Sequence, residues 1–350
     1  MIRVESPETL PAWLSGEGPD SDVVVSTRVR LARCLAGHQF PATASLKHRT
    51  AAFDEIVSVM TKLPRYERCE LFNFMQCERL HQEFLVENRV ASLDLLHAEG
   101  DRGVLVDDVS RLSIIINEED HLRLQCLDCG YRPGDTWRVL SEVDNEIGGH
   151  LVFAFDKRRG FLTSCPTNSG TGLRVSFLMH LPGLILTKTV DSVLQGASQM
   201  GIAVRGFFGE HSCVVGSFFQ LSNQATMGRS EEEFLRSTGE AVGEVIRCER
   251  RARQTILRDA KAELGDKVYR AYGILIYARS LSMDELLNLT SAVRLGVESG
   301  IFGRVSVRVL NRMILLGMPA HLQFYCGREL NEEECASRRA ELAREMLPPS

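Results

Sequence analysis

The sequence predicts an α+β protein, a mostly antiparallel sheet flanked by helices and followed by an all-helical C-terminal region. Short β-branched or apolar runs at 22–33, 112–116, 151–155, 202–206 and 213–221 alternate irregularly with stretches of helical periodicity. That is not the regular βαβ series of a parallel sheet. At Ser230-Glu-Glu-Glu233 the character changes: a capping-box sequence opens a helix, and almost everything after it has helical spacing. With 350 residues, 44% hydrophobic and 25% charged, the chain has ordinary globular composition and enough length for two domains. We divide it into an irregular lead (1–21), a sheet-containing domain (22–228) and a helical domain (229–350).

Composition excludes several classes. A formal net charge of -5 argues against a general nucleic-acid binder, which would carry a basic excess. The ten cysteines are scattered, without the dense spacing of a secreted disulfide scaffold, and read as reduced thiols. The N-terminus lacks a hydrophobic signal core, and no apolar run reaches the roughly 18 residues of a membrane span. The expectation is a cytoplasmic protein.

Taken in order, Pro7, Pro11, Gly16, Gly18 and Pro19 punctuate the lead, leaving room for one helical turn around Trp13. The strand from Asp22 ends by displaying Arg28 and Arg30, which, two apart, point the same way and can reach one target together. An edge strand with solvated arginines fits those residues as well. Leu46 to Thr61 has helical spacing, as does a second amphipathic stretch from Glu70 to Glu87. Leu112 to Ile116 reads as a buried strand that delivers Asn117, Glu118, Glu119 and Asp120. Acids crowded like this repel unless cations or a substrate offset them, so between apolar flanks the cluster reads as a site, with a solvated turn as the plainer alternative. Cys126-Leu-Asp-Cys129 is a lone CxxC, which we take as incidental. Trp137 to Glu146 is helical in spacing, and Leu151 to Phe155 reads as a strand.

The segment Phe161-Leu-Thr-Ser-Cys165-Pro-Thr-Asn168-Ser-Gly170-Thr-Gly172-Leu-Arg174 reads as a strand, a glycine turn and the start of a long helix with Arg174 in its first turn. Backbone N–H groups and an arginine fork there would seat an anion. No Lys-Ser or Lys-Thr follows, so this is not a P-loop, and a tight core turn is the plainer alternative. Ile202 to His211 gives a strand and a glycine-hinged loop with an acid, and Cys213 to Leu221 returns. The helix from Ser230 is expected to run to about Leu264, another is capped by Ser282, and Gly265, Gly300 and Gly317 fall at expected ends. The Arg-rich run 247–253 alternates with Glu249 and apolar residues, as a solvated face would, with a basic docking surface as the sharper alternative.

Four separated segments, Ser26-Thr27-Arg28-Val29-Arg30, Asn117-Glu-Glu-Asp-His-Leu-Arg123, Cys165 to Arg174 with Val175-Ser176, and Arg205-Gly206-Phe-Phe-Gly209-Glu210-His211, resemble in that order the signatures of the phosphagen (guanidino) kinases. The resemblance covers roughly 22–228. Within that superfamily the chain is most similar to the bacterial protein-arginine kinases: only some two dozen residues precede the Ser-Thr-Arg strand, where small-guanidine kinases carry a helical substrate lid, and a helical region follows Gly228 instead. A site without the lid suits a side chain on a large protein.

The resemblance implies ATP with Mg²⁺ as phosphoryl donor. Guanidinium is a poor nucleophile, with a pKa above about 12, and needs a carboxylate pair to orient it and take a proton. Resemblance assigns these to Glu119, the better base, and Glu210, with Cys165 beside the guanidinium. It assigns Ser26, Thr27, Arg28, Val29, Arg30, Arg123, Arg174, Val175, Ser176, Arg205, Gly206 and Gly209 to ATP. In the helical domain the family's phosphoarginine-reading motif, Arg-Asp-x-x-Arg-Ala, is degraded here to Cys335-Ala-Ser-Arg338-Arg339-Ala340, leaving Arg338 and Arg339 as its remnants. The resemblance further implies protein substrates marked for stress response or degradation, a zinc-binding activator, a Clp-type ATPase partner and a homodimer. A kinase for free arginine, and a non-catalytic adaptor, are the alternatives.

Overall fold

A computed structural model describes residues 11–206 and 215–347. One turn of 3-10 helix at Ala12–Leu14 leads into β1 (Val24–Arg33). There follow α1 (Leu46–Met60), β2 (Glu70–Asn73), α2 (Arg79–Glu87), α3 (Leu93–His97), β3 (Gly103–Val106), β4 (Leu112–Ile116) and β5 (Leu122–Cys129). Next come α4 (Pro133–Gly148), the hairpin β6 (Phe155–Asp156) and β7 (Gly160–Phe161), β8 (Leu173–His180), α5 (Pro182–Leu186), α6 (Val190–Gln199), β9 (Ile202–Gly206) and β10 (Phe218–Asn223). Beyond β10 there are only helices among the described residues: α7 (Glu231–Asp259), α8 (Lys261–Tyr277), α9 (Met283–Glu298), α10 (Val307–Leu316), α11 (Pro319–Cys326) and α12 (Glu332–Met346).

Eight strands form one sheet in the order β2-β3-β4-β5-β1-β8-β10-β9, with every neighbour antiparallel. The period-2 pleat gives it two chemically different faces. Val29, Leu31, Leu124, Cys126, Val175, Phe177 and Leu221 are fully buried on one face, against α1, α4, α6 and the first half of α7. On the other face α2 and α3 cover β2 to β4, through Phe72, Leu85, Leu95 and Ile115. Trp13, Leu14, α9 and α10 cover Val25, Leu127, Leu178 and Phe218. The arginines lie between these two lids. A separate apolar core joins α8, α9, α10 and α12.

Several local expectations are corrected. Leu173–His180 is strand, so Arg174 opens no helix, and the only helical turn in the glycine segment is the 3-10 turn Pro166–Asn168. The apolar run beyond Gly172 hid a period-2 strand, with Leu173, Val175, Phe177 and Met179 inward; Pro182 marks where helix begins. Glu70 to Glu87 divides into β2 and α2 around a turn at Asn73, whose side chain accepts from the Met75 N–H at 2.9 Å. Of the 151–155 run only Phe155 is in a strand, as the first residue of β6. α7 begins with the capping box at Ser230, as read, but ends at Asp259, and Gly265 lies inside α8. The Arg-rich run is not one solvated face: Arg250 pairs with Asp20 and Asp22, and buried Arg253 pairs with buried Glu249.

Candidate active site

Strand register puts the arginines on the open face. Arg30 stands opposite Arg174, Arg28 opposite Ser176, and Ala32 opposite Arg123, so all share the face that residues 28 and 30 define. Arg205 faces Gln220, which pairs with Leu178 on that same face. The Ser176 hydroxyl accepts from Arg28 Nε at 3.3 Å. Burial and then the neighbouring guanidinium groups of Arg89, Arg174, Arg123 and Arg205 lower the pKa of Arg28 to about 9. Burial, with Arg28, Arg123 and Arg174, holds Arg30 well below its ordinary value, and Glu118 offsets only part of this. Two like charges about 4 Å apart repel by roughly 4 kcal/mol at an effective dielectric of 20. Such a cluster is costly until an anion sits in it. Among the described residues, moreover, the buried donor Arg30 Nε has no hydrogen-bond partner. The donor set therefore fits a polyphosphate.

The remaining nucleotide candidates divide by face. Ser26 is buried on the arginine side, opposite Leu178. Thr27, Val29 and Val175 point into the core: the Thr27 hydroxyl donates to the Gly130 carbonyl at 2.6 Å, and both valines are fully buried. Gly206 ends β9 opposite Phe219. Gly209 and Glu210 lie outside the described residues.

Sequence reasoning missed Arg89. It follows α2 with a φ of 63°, and its guanidinium stands 5.0 Å from the Trp13 ring centroid. Of the charges that act on Arg28 it is the strongest, and burial lowers its own pKa to about 10. At the end of an amphipathic helix an arginine ordinarily faces water, so nothing in the spacing marked it.

The acidic turn between β4 and β5 is built inward. Asn117, with φ 57°, anchors it by donating to the Arg49 and Asp101 carbonyls at 2.7 and 2.9 Å. Glu118 is buried, paired with Arg123 and accepting from the Ser92 hydroxyl. Glu119 Oε2 receives Arg123 Nη2 at 2.7 Å and Asn168 Nδ2 at 2.9 Å. Its side chain is 40% exposed, and among the described residues Oε1 has no hydrogen-bond partner. Burial opposes the charge on Arg123, but Glu118, Asp120 and Glu119 outweigh it and raise its pKa. Asp120 is fully buried, accepts from the Ser164 N–H at 2.7 Å and from Asn168 Nδ2 at 3.1 Å, and has its pKa raised by burial.

Asn168 thus joins the glycine segment, which carries Cys165 three residues earlier, to the acidic turn. Cys165 is partly exposed, its Sγ 3.0 Å from Thr167 Oγ1. The segment is fixed from both sides. Thr226 donates to the Thr167 and Ser169 carbonyls at 2.9 and 2.6 Å. Arg33, gripped by Asp144 at 2.7 and 3.0 Å, donates to the Thr171 carbonyl and stacks 3.6 Å from the Phe161 ring centroid. Gly172, at φ +67°, could bear no side chain, because a Cβ would lie 2.6 Å from the Ala32 carbonyl.

The degraded motif presents no open fork. Arg338 is paired with Glu341 and Glu345 of its own helix, and buried Arg339 donates to the Gly317 and Leu281 carbonyls, both at 2.7 Å. Cys126 and Cys129 are buried in β5. Among the described residues no group of three His, Cys, Asp or Glu could hold a metal ion, and no helix is long and apolar enough to cross a membrane.

The family model for the ATP:guanido phosphotransferase C-terminal catalytic domain matches residues 52–252, and that for the protein-arginine kinase McsB C-terminal domain matches 261–349. The chain is 39% identical to the protein-arginine kinase of Brevibacillus brevis, covering 96% of this chain and 94% of that one. It is 40% identical to that of Geobacillus thermodenitrificans, over 96% and 93%. Its fold is similar to the duplicated taurocyamine kinase of Schistosoma mansoni solved with transition-state-analogue components, with a TM-score of 0.60, 25% identity and coverage of 71% of this chain and 37% of that one. It is likewise similar to lombricine kinase, with a TM-score of 0.59, 23% identity and 70% of each chain covered.

Proposed function

From the premise that the chain belongs to the ATP:guanido phosphotransferase family, in its protein-arginine kinase branch, we propose that it transfers the γ-phosphoryl group of ATP to arginine side chains of proteins. The observation that carries this reading is the juxtaposition of Glu119, open at Oε1, with a face of converging arginines whose charges disfavour one another. Arg28, Arg30, Arg123, Arg174 and Arg205, joined by Arg89, grip the phosphates and offset the charge that spreads over the transferring group. Mg²⁺, which keeps several non-protein ligands when bound with phosphates, would arrive with the nucleotide and neutralise part of its charge.

Arg123 and Asn168 hold Glu119 through Oε2, so Oε1 is the oxygen directed to the substrate guanidinium. There it orients one nitrogen and accepts its proton as the N–P bond forms and the bond to the ADP oxygen breaks. Glu210 takes the second carboxylate's part, and Cys165 lies beside the acceptor. Asp120, buried and bonded to Ser164 and Asn168, positions the loop without touching substrate. Residues 22–228 carry this chemistry, and 229–350 serve docking and self-association. Degradative marking, a zinc-binding activator and a Clp-type partner extend the same reading.

Incubation with γ-labelled ATP and either a folded arginine-bearing protein or free arginine tests it. Acid-labile label on the protein is expected; label appearing only on free arginine would favour the small-guanidine alternative.

A further inference from the structure

We propose that the cleft between the β6–β7 hairpin and the start of α7 is a docking site for acidic, aromatic-containing segments of the protein acceptor, so that the kinase favours arginines with acidic residues nearby. This rests on the reading that the acceptor is a protein. The cleft has a volume of about 490 Å³; the hairpin lines it with Phe155, Arg158 and Arg159, the active-site segment with Gly170 and Thr171, and the opposite wall with Met227, Arg229, Glu231 and Glu233, the last of which is occupied in accepting from the Ser230 N–H.

Three observations converge on it. The hairpin tip, Lys157-Arg158-Arg159, is exposed, and among the described residues none of the three side chains has an ion-pair partner. The tip is held stiffly in place, because Asp156 Oδ1 accepts from both the Arg158 and Arg159 N–H groups at 2.9 Å. In a chain of net charge -5, such a concentration of cations is a local device. Second, two large apolar side chains stay in water here: Phe155 is 58% exposed and Met227 46% exposed. A surface of this mixed kind recognises acidic residues interspersed with apolar ones.

Third, the cleft is continuous with the chemistry. A Cβ on Gly160 would meet the Gly170 carbonyl at 2.5 Å, and one on Gly170 would meet Met227 at 2.5 Å, so hairpin, active-site segment and the approach to α7 touch directly. Gly170 is two residues from Asn168, which holds Glu119. At about 3.3 Å per extended residue, an acceptor chain leaving the site reaches the cleft within a few positions of its target arginine. The basic rim would repel the target guanidinium itself, so it can serve only the flanking residues, and only if they are acidic.

The test uses full-length protein with two readouts. Fluorescence anisotropy of a labelled peptide rich in Glu, Asp and Phe but lacking arginine reads docking without catalysis. Wild type should bind it, and the Arg158→Glu/Arg159→Glu variant should bind at least about tenfold more weakly. Steady-state phosphorylation of arginine peptides with acidic or neutral flanks reads the consequence. The same charge reversal should raise KM for the acidic-flanked peptide about tenfold, with kcat within about twofold. Both substitutions are at exposed positions, and Phe155→Ser gives an independent variant expected to weaken the anisotropy signal. Unchanged peptide binding in the reversed variant, equal KM for both flanks, or tighter binding of a single-stranded oligonucleotide than of the peptide would overturn the proposal. Failure of every peptide to be phosphorylated, with docking intact, would strike the protein-acceptor reading instead and leave the surface standing as a binding site.

Discussion

Single residues here carry opposed duties. Arg28 and Arg30 are held where their charge is disfavoured, by burial and by one another, which suits the cluster to the proposed anion and costs stability without one. Exchanging one such charge for an apolar chain should therefore separate stability from function. Arg30→Met should stabilise the nucleotide-free protein by on the order of 1 to 3 kcal/mol in urea unfolding, while abolishing the upward shift of Tm that ATP gives the wild type. A less stable variant, or one still shifted by ATP, would mean that Arg30 does not lie in the nucleotide's seat. Arg89 shows the limit of reading residues singly. It belongs to no periodic pattern, and only its position over Trp13 and beside Arg28 reveals it.

At the scale of elements, what could be read followed from period and capping. The strand bearing Arg28 and Arg30, the acidic turn after β4, and the capped starts of α7 and α9 have local causes, and the structure places them as expected. Leu173–His180 has the look of a helix in sequence because its second half, Phe177-Leu178-Met179, is buried on both faces and continuously apolar, which hides the period of 2. Partnerships such as Arg33 with Asp144, or Asn168 with Glu119 and Asp120, join distant segments and leave no trace in spacing. The junction of β1 with the acidic turn makes a further prediction. His121 is buried and accepts the Leu35 N–H through Nδ1 at 3.1 Å; burial first, and His38 next, lower its pKa to about 4. Because the unfolded chain takes up this proton near pH 6.5 and the folded chain only near 4, stability is fully present above 6.5 and falls as pH drops through that window. The loss should approach roughly 3 kcal/mol and level off below pH 4. Buried His180, also lowered, adds in the same direction. His121→Asn, which keeps an acceptor but not the titration, should show a shallower slope in urea midpoints measured from pH 7 to 4; an unchanged slope would contradict this.

Across the whole molecule, the helical region is continuous with the site. α7 closes the core face of the sheet through Phe234, Val242 and Val245, and α10 closes part of the arginine face through Ile314 and Leu315. The Glu87 carboxylate accepts from the Ala320 and His321 N–H groups at 2.9 and 3.0 Å, and the Asn88 amide lies 3.2 Å from His321 Nε2. The next residue is Arg89, in the arginine cluster. The tail of the chain thus helps to shape the site that the sheet displays. The proposed transfer from ATP to a protein's guanidinium runs through Glu119. It is tested most directly by measuring acid-labile phosphate on arginine side chains of a folded model protein, for wild type and Glu119→Gln side by side. Steady transfer is expected from wild type, and a loss of at least about a hundredfold in kcat from the variant, with its thermal unfolding unchanged within a few degrees. Wild-type turnover in Glu119→Gln, or acid-stable phosphate as the product, would contradict it.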